Sequence, residues 1–396
     1  MKKSALLLLL LPFLIVSCGD DDKKGGGNAL IKGKFSECNN DTLFLTDVSR
    51  STFEVLDSVV VGSDGEFEFH PTIKTKGFFN ITVGRSGQQF ATIIAEAGDT
   101  INITGNAKNL GYTWKTSGSE DCDRYSRFND YVGDLDKKRQ PLMGRLDSLT
   151  RTFQVIVNML KDTTKVDSLD KVFSDLYTKT QNQLLGIDSS GSEWVRHFID
   201  EKPGSFANIP ALRLLEPFDN LAYYEKTATA LEVKYKDAPN VKMLRDFIER
   251  ERPFSKGQTP PEIAMNDPDG KPLKLSSLRG KVVLIDFWAS WCGPCMAELP
   301  TVVANYKKYH DKGFEVFSVS LDSDKNAWVG AIKQKGLIWP YHVSDLMQWK
   351  SMVVPLYRIK SIPKTVLLDR EGRIIDRDLR GEALSSKLDE IFSESK

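Results

Sequence analysis

What this chain lacks removes several classes of function. Neither sign of charge is in excess, since Lys plus Arg and Asp plus Glu both number 54 and the formal net charge is zero. A chain with no basic field has little to offer a phosphate backbone. It also shows no aromatic-basic stripe of the kind single-strand binders use, so no nucleic-acid partner is expected. Cysteine is sparse: five in 396 residues is no disulfide scaffold, and each one needs its own reading. Histidine is sparser still, with four, and His70, His197, His310 and His342 show no ligand spacing. Zinc asks for four ligands, and one Cys-x-x-Cys without a second pair nearby does not supply them. No metal and no other cofactor is implied.

What is present starts with size. At 396 residues, 40% apolar and 27% charged, the chain has an ordinary globular composition and is too long for one domain. Lys2 and Lys3 precede an apolar run over residues 5–16 that is too short to span a bilayer comfortably. Ile15-Val16-Ser17-Cys18 closes that run. The pattern is a secretory signal. Its end resembles a bacterial lipoprotein lipobox, which implies cleavage after residues 1–17 and a lipid on Cys18. Residues 18–28 are polar and glycine-rich, hence a flexible tether. Asp20-Asp21-Asp22 resembles the surface-export signals of Bacteroidota lipoproteins, although a solvated charge run in a linker is the plainer account. The expected address is the bacterial cell envelope, lipid-anchored and facing the periplasm or the cell surface.

Three regions follow the tether. Over residues 29–118 the pattern has period two. Phe67 and Phe69 alternate with Glu66, Glu68 and His70 after the turn Ser63-Asp64-Gly65, and Phe53 to Val61 precede it. These two segments predict a β-hairpin within a small antiparallel sandwich or barrel. The Asp64-Gly65 and Ala97-Gly98-Asp99 turns give it a resemblance to the DUF4369 domain found ahead of thioredoxin-like domains. Over residues 119–252 the period becomes helical. Leu142, Leu146 and Leu149 form one stripe, and Leu169, Phe173, Leu176 and Leu184 another. Such stripes predict an α-helical region packed against its neighbours. Residues 251–261 have linker composition. Over residues 257–396 strand and helix patterns alternate, which predicts a C-terminal α/β layer. The fold class is therefore multidomain: antiparallel β, then α-helical, then α/β.

The chemistry concentrates in Trp288-Ala289-Ser290-Trp291-Cys292-Gly293-Pro294-Cys295. A buried strand over residues 281–288 leads into it, and a helix over residues 295–312 follows. Two cysteines separated by two residues at a strand-to-helix junction form a reversible dithiol/disulfide pair. Cys292 would sit just before the helix, where the macrodipole and unpaired N–H groups favour a thiolate. Cys295, one turn in, is more shielded. Pro294 costs no backbone bond at a helix start.

With Asp286-Phe287-Trp288-Ala289 ahead of the motif and Ile362-Pro363 about seventy residues beyond it, the segment resembles the thioredoxin superfamily. The approach Asp267-Pro268-Asp269-Gly270 and the strand from Phe314 narrow the resemblance to the TlpA/ResA-like thiol:disulfide oxidoreductases. This implies a thioredoxin-like fold in which Cys292 attacks and Cys295 resolves. Asp286 matches the buried acid of thioredoxins, and Glu298 matches the active-site glutamate of the ResA type. Ile362-Pro363 matches the cis-proline that faces the dithiol. Trp291, Gly293, Pro294, Ile362 and Pro363 would contact substrate, and Trp288 and Trp291 would rim the cysteines. Tyr357 and Arg358 are further candidates for the groove. The implied partners are client proteins with disulfides and a membrane electron donor. The Gly-Pro pair between the cysteines favours a reductase. Two alternatives remain: a thiol peroxidase, and a client- or ligand-binding lipoprotein with an accessory redox domain. Whether Cys38 and Cys122 pair is open.

Overall fold

The computed structural model describes residues 28–49, 53–84, 88–159 and 163–393. The signal segment, Cys18 and almost all of the tether lie outside them. The chain divides into two compact units, Met1–Arg127 and Phe128–Lys396.

Among the described residues of the first unit, eight strands form two four-stranded sheets. They are β1 (Leu30–Ser36), β2 (Thr42–Asp47), β3 (Glu54–Val60), β4 (Glu66–Phe69), β5 (Gly77–Val83), β6 (Phe90–Ala95), β7 (Thr100–Asn106) and β8 (Lys115–Ser117). One sheet runs β4-β1-β7-β8 and the other β3-β2-β5-β6. The expected hairpin does not form. β3 pairs with β2, and β4 crosses to pair with β1 in the other sheet. Period two reports which face of a strand is buried but is silent on which neighbour it takes. The antiparallel expectation holds for every pair but one: β1 and β7 run parallel, Ile31 opposite Ile101. Gly33 permits that approach, because a Cβ there would lie 1.9 Å from the Ile103 carbonyl oxygen. The turn α1 (Leu110–Thr113) precedes β8.

Two long helices open the helical region, α2 (Glu120–Met159) and α3 (Thr163–Glu201), α2 crossing the division between the units. They run antiparallel. Tyr131 stacks on Trp194 at 3.9 Å and Phe153 on Phe173 at 4.2 Å, so positions rising on one helix meet positions falling on the other. The Leu142/Leu146/Leu149 and Leu169/Phe173/Leu176 stripes are half-buried, as expected for a two-helix seam with open flanks. Then come α4 (Asn208–Ala211), α5 (Pro217–Tyr235) and α6 (Pro239–Glu251), the last two opened by prolines at their first positions.

The C-terminal layer starts with the hairpin of β9 (Ala264–Asn266) and β10 (Pro272–Lys274). Its sheet contains β11 (Val282–Trp288), β12 (Phe314–Ser320), β13 (His342–Val343), β14 (Lys364–Leu368) and β15 (Ile374–Arg377), in the order β13-β12-β11-β14-β15. β11 and β12 are buried at every position and pair in parallel, with Asp286 interrupting the apolar run of the first and Glu315, Ser318 and Ser320 that of the second. Four helices complete the layer: α7 (Gly293–Tyr309), α8 (Lys325–Lys335), the single turn α9 (Val353–Leu356) and α10 (Gly381–Ser393). Asp324 caps α8 by accepting from Ala327 N–H at 2.8 Å, and Gly336 ends it in the left-handed conformation. Phe218 of α5 belongs to the core of this layer, so the helical region and the α/β layer share apolar packing.

Candidate active site

The fold brings two segments, far apart in sequence, to the carboxyl end of β11. The strand ends at Trp288, and the chain turns through Ser290 and Trp291 into α7. β14 runs antiparallel beside β11, with Lys364 opposite Phe287. That register carries the residue before Lys364, Pro363, to the same end of the sheet. The Ile362–Pro363 bond is cis, as the resemblance implied. The Ile362 carbonyl oxygen lies 3.7 Å from Cys292 Sγ, although the two residues are seventy apart in sequence.

Cys292 and Cys295 form a disulfide with their Cα atoms 5.2 Å apart. Helix α7 starts two residues earlier than its apolar pattern suggested, at Gly293, so Cys292 is its N-cap. Its sulfur accepts from the Cys295 N–H at 3.2 Å. A thiolate at this atom would meet the same donor and the positive end of the helix. Both sulfur-bearing residues are mostly covered, Cys292 at 5% exposure and Cys295 at 2%.

Two carboxylates lie on the elements that form this junction, Asp286 on β11 and Glu298 on α7. Asp286 is buried within β11, between Ser318 of β12 and Thr365 of β14. Burial pushes its carboxyl up to about 7, the Glu298 charge pushes the same way, and Arg380 opposes both. Glu298 follows Cys295 by one helical turn, so the two share a face of α7. Its Oε1 accepts from the Gly381 N–H at 2.6 Å, at the start of α10. An acid that changes protonation near neutrality is suited to exchanging a proton with a thiol.

Several site residues had no signal in the sequence. Asp322, just past β12, is buried and holds the turn ahead of Cys292. It accepts from Ser290 N–H at 3.0 Å, from Ser290 Oγ at 2.6 Å and from Ser320 Oγ at 2.7 Å. Arg380 donates to the Pro363 carbonyl, so one short loop, Arg380-Gly381, reaches both the cis-proline and Glu298. Trp349 lies 6.2 Å from Trp291, ring centre to ring centre. Asp345 shapes the Trp349 loop by accepting from Ser351 Oγ at 2.8 Å and Met352 N–H at 3.1 Å.

Three expectations change. Trp288 is fully buried and does not rim the cysteines; Trp291, next to Cys292, is half-exposed and has the half-exposed Trp349 ring beside it. A seven-residue strand buried on both faces leaves no open side for Trp288. Tyr357 is core and donates to the Pro261 carbonyl. Arg358 turns to α6, where it pairs with Glu251 at 2.7 Å. Gly293 and Pro294 are exposed at the start of α7, and Pro363 is buried. Cys38 and Cys122 are free and buried. Burial pushes their thiols up to about 11 and about 12, so both are poor nucleophiles. Among the described residues no three His, Cys, Asp or Glu side chains cluster as a metal site would require.

Comparison with known proteins adds family relationships. Residues 255–391 match the Redoxin family model, and residues 30–125 match the domain of unknown function DUF4369. The thiol-disulfide oxidoreductase ResA of Bacillus cereus is 27% identical over 150 residues, covering 38% of this chain and 84% of that protein. ResA of Bacillus subtilis is 31% identical over 122 residues, covering 31% of this chain and 66% of that protein. A solved thiol-disulfide oxidoreductase from Bacteroides fragilis is 34% identical and covers 34% of this chain and 99% of its own, with a TM-score of 0.32.

Proposed function

Since residues 255–391 belong to the redoxin family, we propose that this thiol:disulfide oxidoreductase acts as a reductase of client-protein disulfides in the bacterial cell envelope. The observation that carries this reading is Cys292 at the N-cap of α7. It is bonded to Cys295 and faces the carbonyl of the cis Ile362–Pro363 turn.

In the reduced chain the Cys292 thiolate attacks one sulfur of a client disulfide. The other client sulfur leaves and takes up a proton, and a mixed disulfide joins the client to Cys292. Cys295 then gives its proton to Asp286 or Glu298, and its sulfur attacks Cys292 Sγ. The bond to the client breaks, the second client sulfur leaves, and the Cys292–Cys295 disulfide closes. Two electrons have passed to the client. Regeneration runs the same exchange in reverse against a thiol donor. Trp291, Gly293 and Pro294 on one side and Ile362 and Pro363 on the other are the surfaces the client chain would touch.

The envelope location rests on the N-terminal residues. Cys18 would carry acyl chains, and more than one chain is needed for stable anchoring. No helix among the described residues is long and apolar enough to cross a membrane. The electron donor would be a membrane protein that reaches the tethered domain.

The test is insulin reduction by the full chain. Cys292→Ala abolishes turnover, and Cys295→Ala accumulates mixed disulfides whose partners mass spectrometry identifies. Retained turnover in Cys292→Ala would sink the assignment.

A further inference from the structure

The segment entering the cis-proline turn is basic in a chain whose formal net charge is zero: Arg358, Lys360 and Lys364 all lie between positions 358 and 364. They line a cavity of about 270 Å³ together with Arg380, against the single carboxylate of Asp378, and Pro363 forms part of its wall. An adjoining cavity of about 210 Å³ shares Arg358, Lys360 and Lys364 and adds Arg377 and Glu251. Some of these charges are answered. Lys364 pairs with Asp378 at 3.3 Å, Arg358 with Glu251 at 2.7 Å, and Arg377 with Glu216. One is not. Arg380 donates to the neutral Pro363 carbonyl and its charge also acts on the buried Asp286 carboxyl, whereas exposed Lys360 has no carboxylate within ion-pair distance among the described residues.

We propose that this cavity binds acidic side chains of the client polypeptide that flank its reacting cysteine. The inference rests on the exchange reading above and names the substrate class of that same site. Its argument is continuity. The Ile362 carbonyl is 3.7 Å from Cys292 Sγ, so a client sulfur joined to Cys292 lies over the cis-proline turn. An extended chain advances about 3.3 Å per residue, so positions within two or three of the client cysteine come against the cavity. The side facing Trp291 and Trp349 presents two half-exposed aromatic rings, which favour apolar over acidic side chains. The client is therefore read asymmetrically, with acidic residues on the cis-proline side of its cysteine. Charge complementarity of this kind acts chiefly on the rate of encounter and falls with salt.

The test uses the reduced full chain in stopped flow with three short peptides. Each carries one cysteine as a mixed disulfide with 2-mercaptoethanol, and they differ only in having Glu, Gln or Lys at the flanking positions. The Glu peptide is expected to react roughly tenfold faster than the Gln peptide at low salt, with the ratio shrinking in high salt. Lys360→Gln should cut that ratio about threefold, and Lys360→Glu should favour the Lys peptide. Equal rates for the Glu and Gln peptides, or a ratio unmoved in Lys360→Glu, overturn the acidic preference while leaving the exchange activity standing. If no peptide is reduced, the exchange reading falls and this inference with it.

Discussion

Asp286→Asn should stabilise the C-terminal layer at alkaline pH while slowing its chemistry. Asp286 is 4% exposed, and its acid is raised from 3.8 to about 7, first by burial and then by the Glu298 charge. The folded state therefore holds the proton more tightly than the unfolded chain does. The resulting stabilisation is complete below about 3.8 and is lost as pH rises through about 7, where a buried carboxylate must ionise. At about 1.36 kcal/mol per pKa unit, the rise corresponds to about 4 kcal/mol. Asparagine never ionises. At pH values about two units above 7 it should be the more stable form by up to that amount, and the difference should vanish in acid. Urea denaturation of the oxidised full chain across this range, followed by Trp288 and Trp291 fluorescence, measures it. The second step of exchange should show the opposite effect, falling roughly 10²-fold or more if Asp286 takes the Cys295 proton. Glu298→Gln provides an internal check, because removing the neighbouring charge should lower the midpoint of the stability curve. A difference between Asp286→Asn and the parent that does not change with pH would refute the reasoning, and so would a variant less stable in alkali.

Two further outcomes are expected. Asp322→Ala leaves the Ser290 N–H and the Ser290 and Ser320 hydroxyls without their acceptor. It should cost about 3 kcal/mol in urea and slow insulin reduction, with Asn recovering part of both; a loss below about 0.5 kcal/mol would remove Asp322 from the account. His342 is buried against Trp339, and burial pushes its imidazole down to about 4. Its contribution is present above about 6.5 and lost as pH falls toward 4, worth about 3 kcal/mol. In an Asp286→Asn background this acid-side loss should disappear on His342→Phe; an unchanged acid limb would show that another group governs it.

The parts of the site that were readable before the structure share one property: they are close in sequence or carry a specific string. Cys292, Pro294, Cys295 and Glu298 lie within one strand-to-helix junction, and periodicity places them. The cis-proline was reachable through its motif. The three-region order of strands, helices and α/β layer followed from a change of hydrophobic period. The failures concern partners. Nothing in Glu54–Val60 or Glu66–Phe69 says that these adjacent strands enter different sheets. Trp288 and Trp291 look alike in the string, and only the burial of β11 on both faces separates core from rim.

By itself, then, the order of residues determined a dithiol at a helix start, a proline to face it, and two acids near it. The dithiol, its helix start and the position of Glu298 are local patterns that backbone geometry expresses; the proline, seventy positions away, and the roles of the two acids came through the family resemblance. Tertiary structure decided which groups complete the site. Asp322 meets Ser290 from thirty-two positions away, and Gly381 meets Glu298 from eighty-three. Lys360, ahead of β14, and Arg380, beyond β15, come to one cavity because those strands pair antiparallel. Such contacts depend on strand order and register. Those are set by how the whole layer buries its apolar faces, and no short stretch of sequence carries that information.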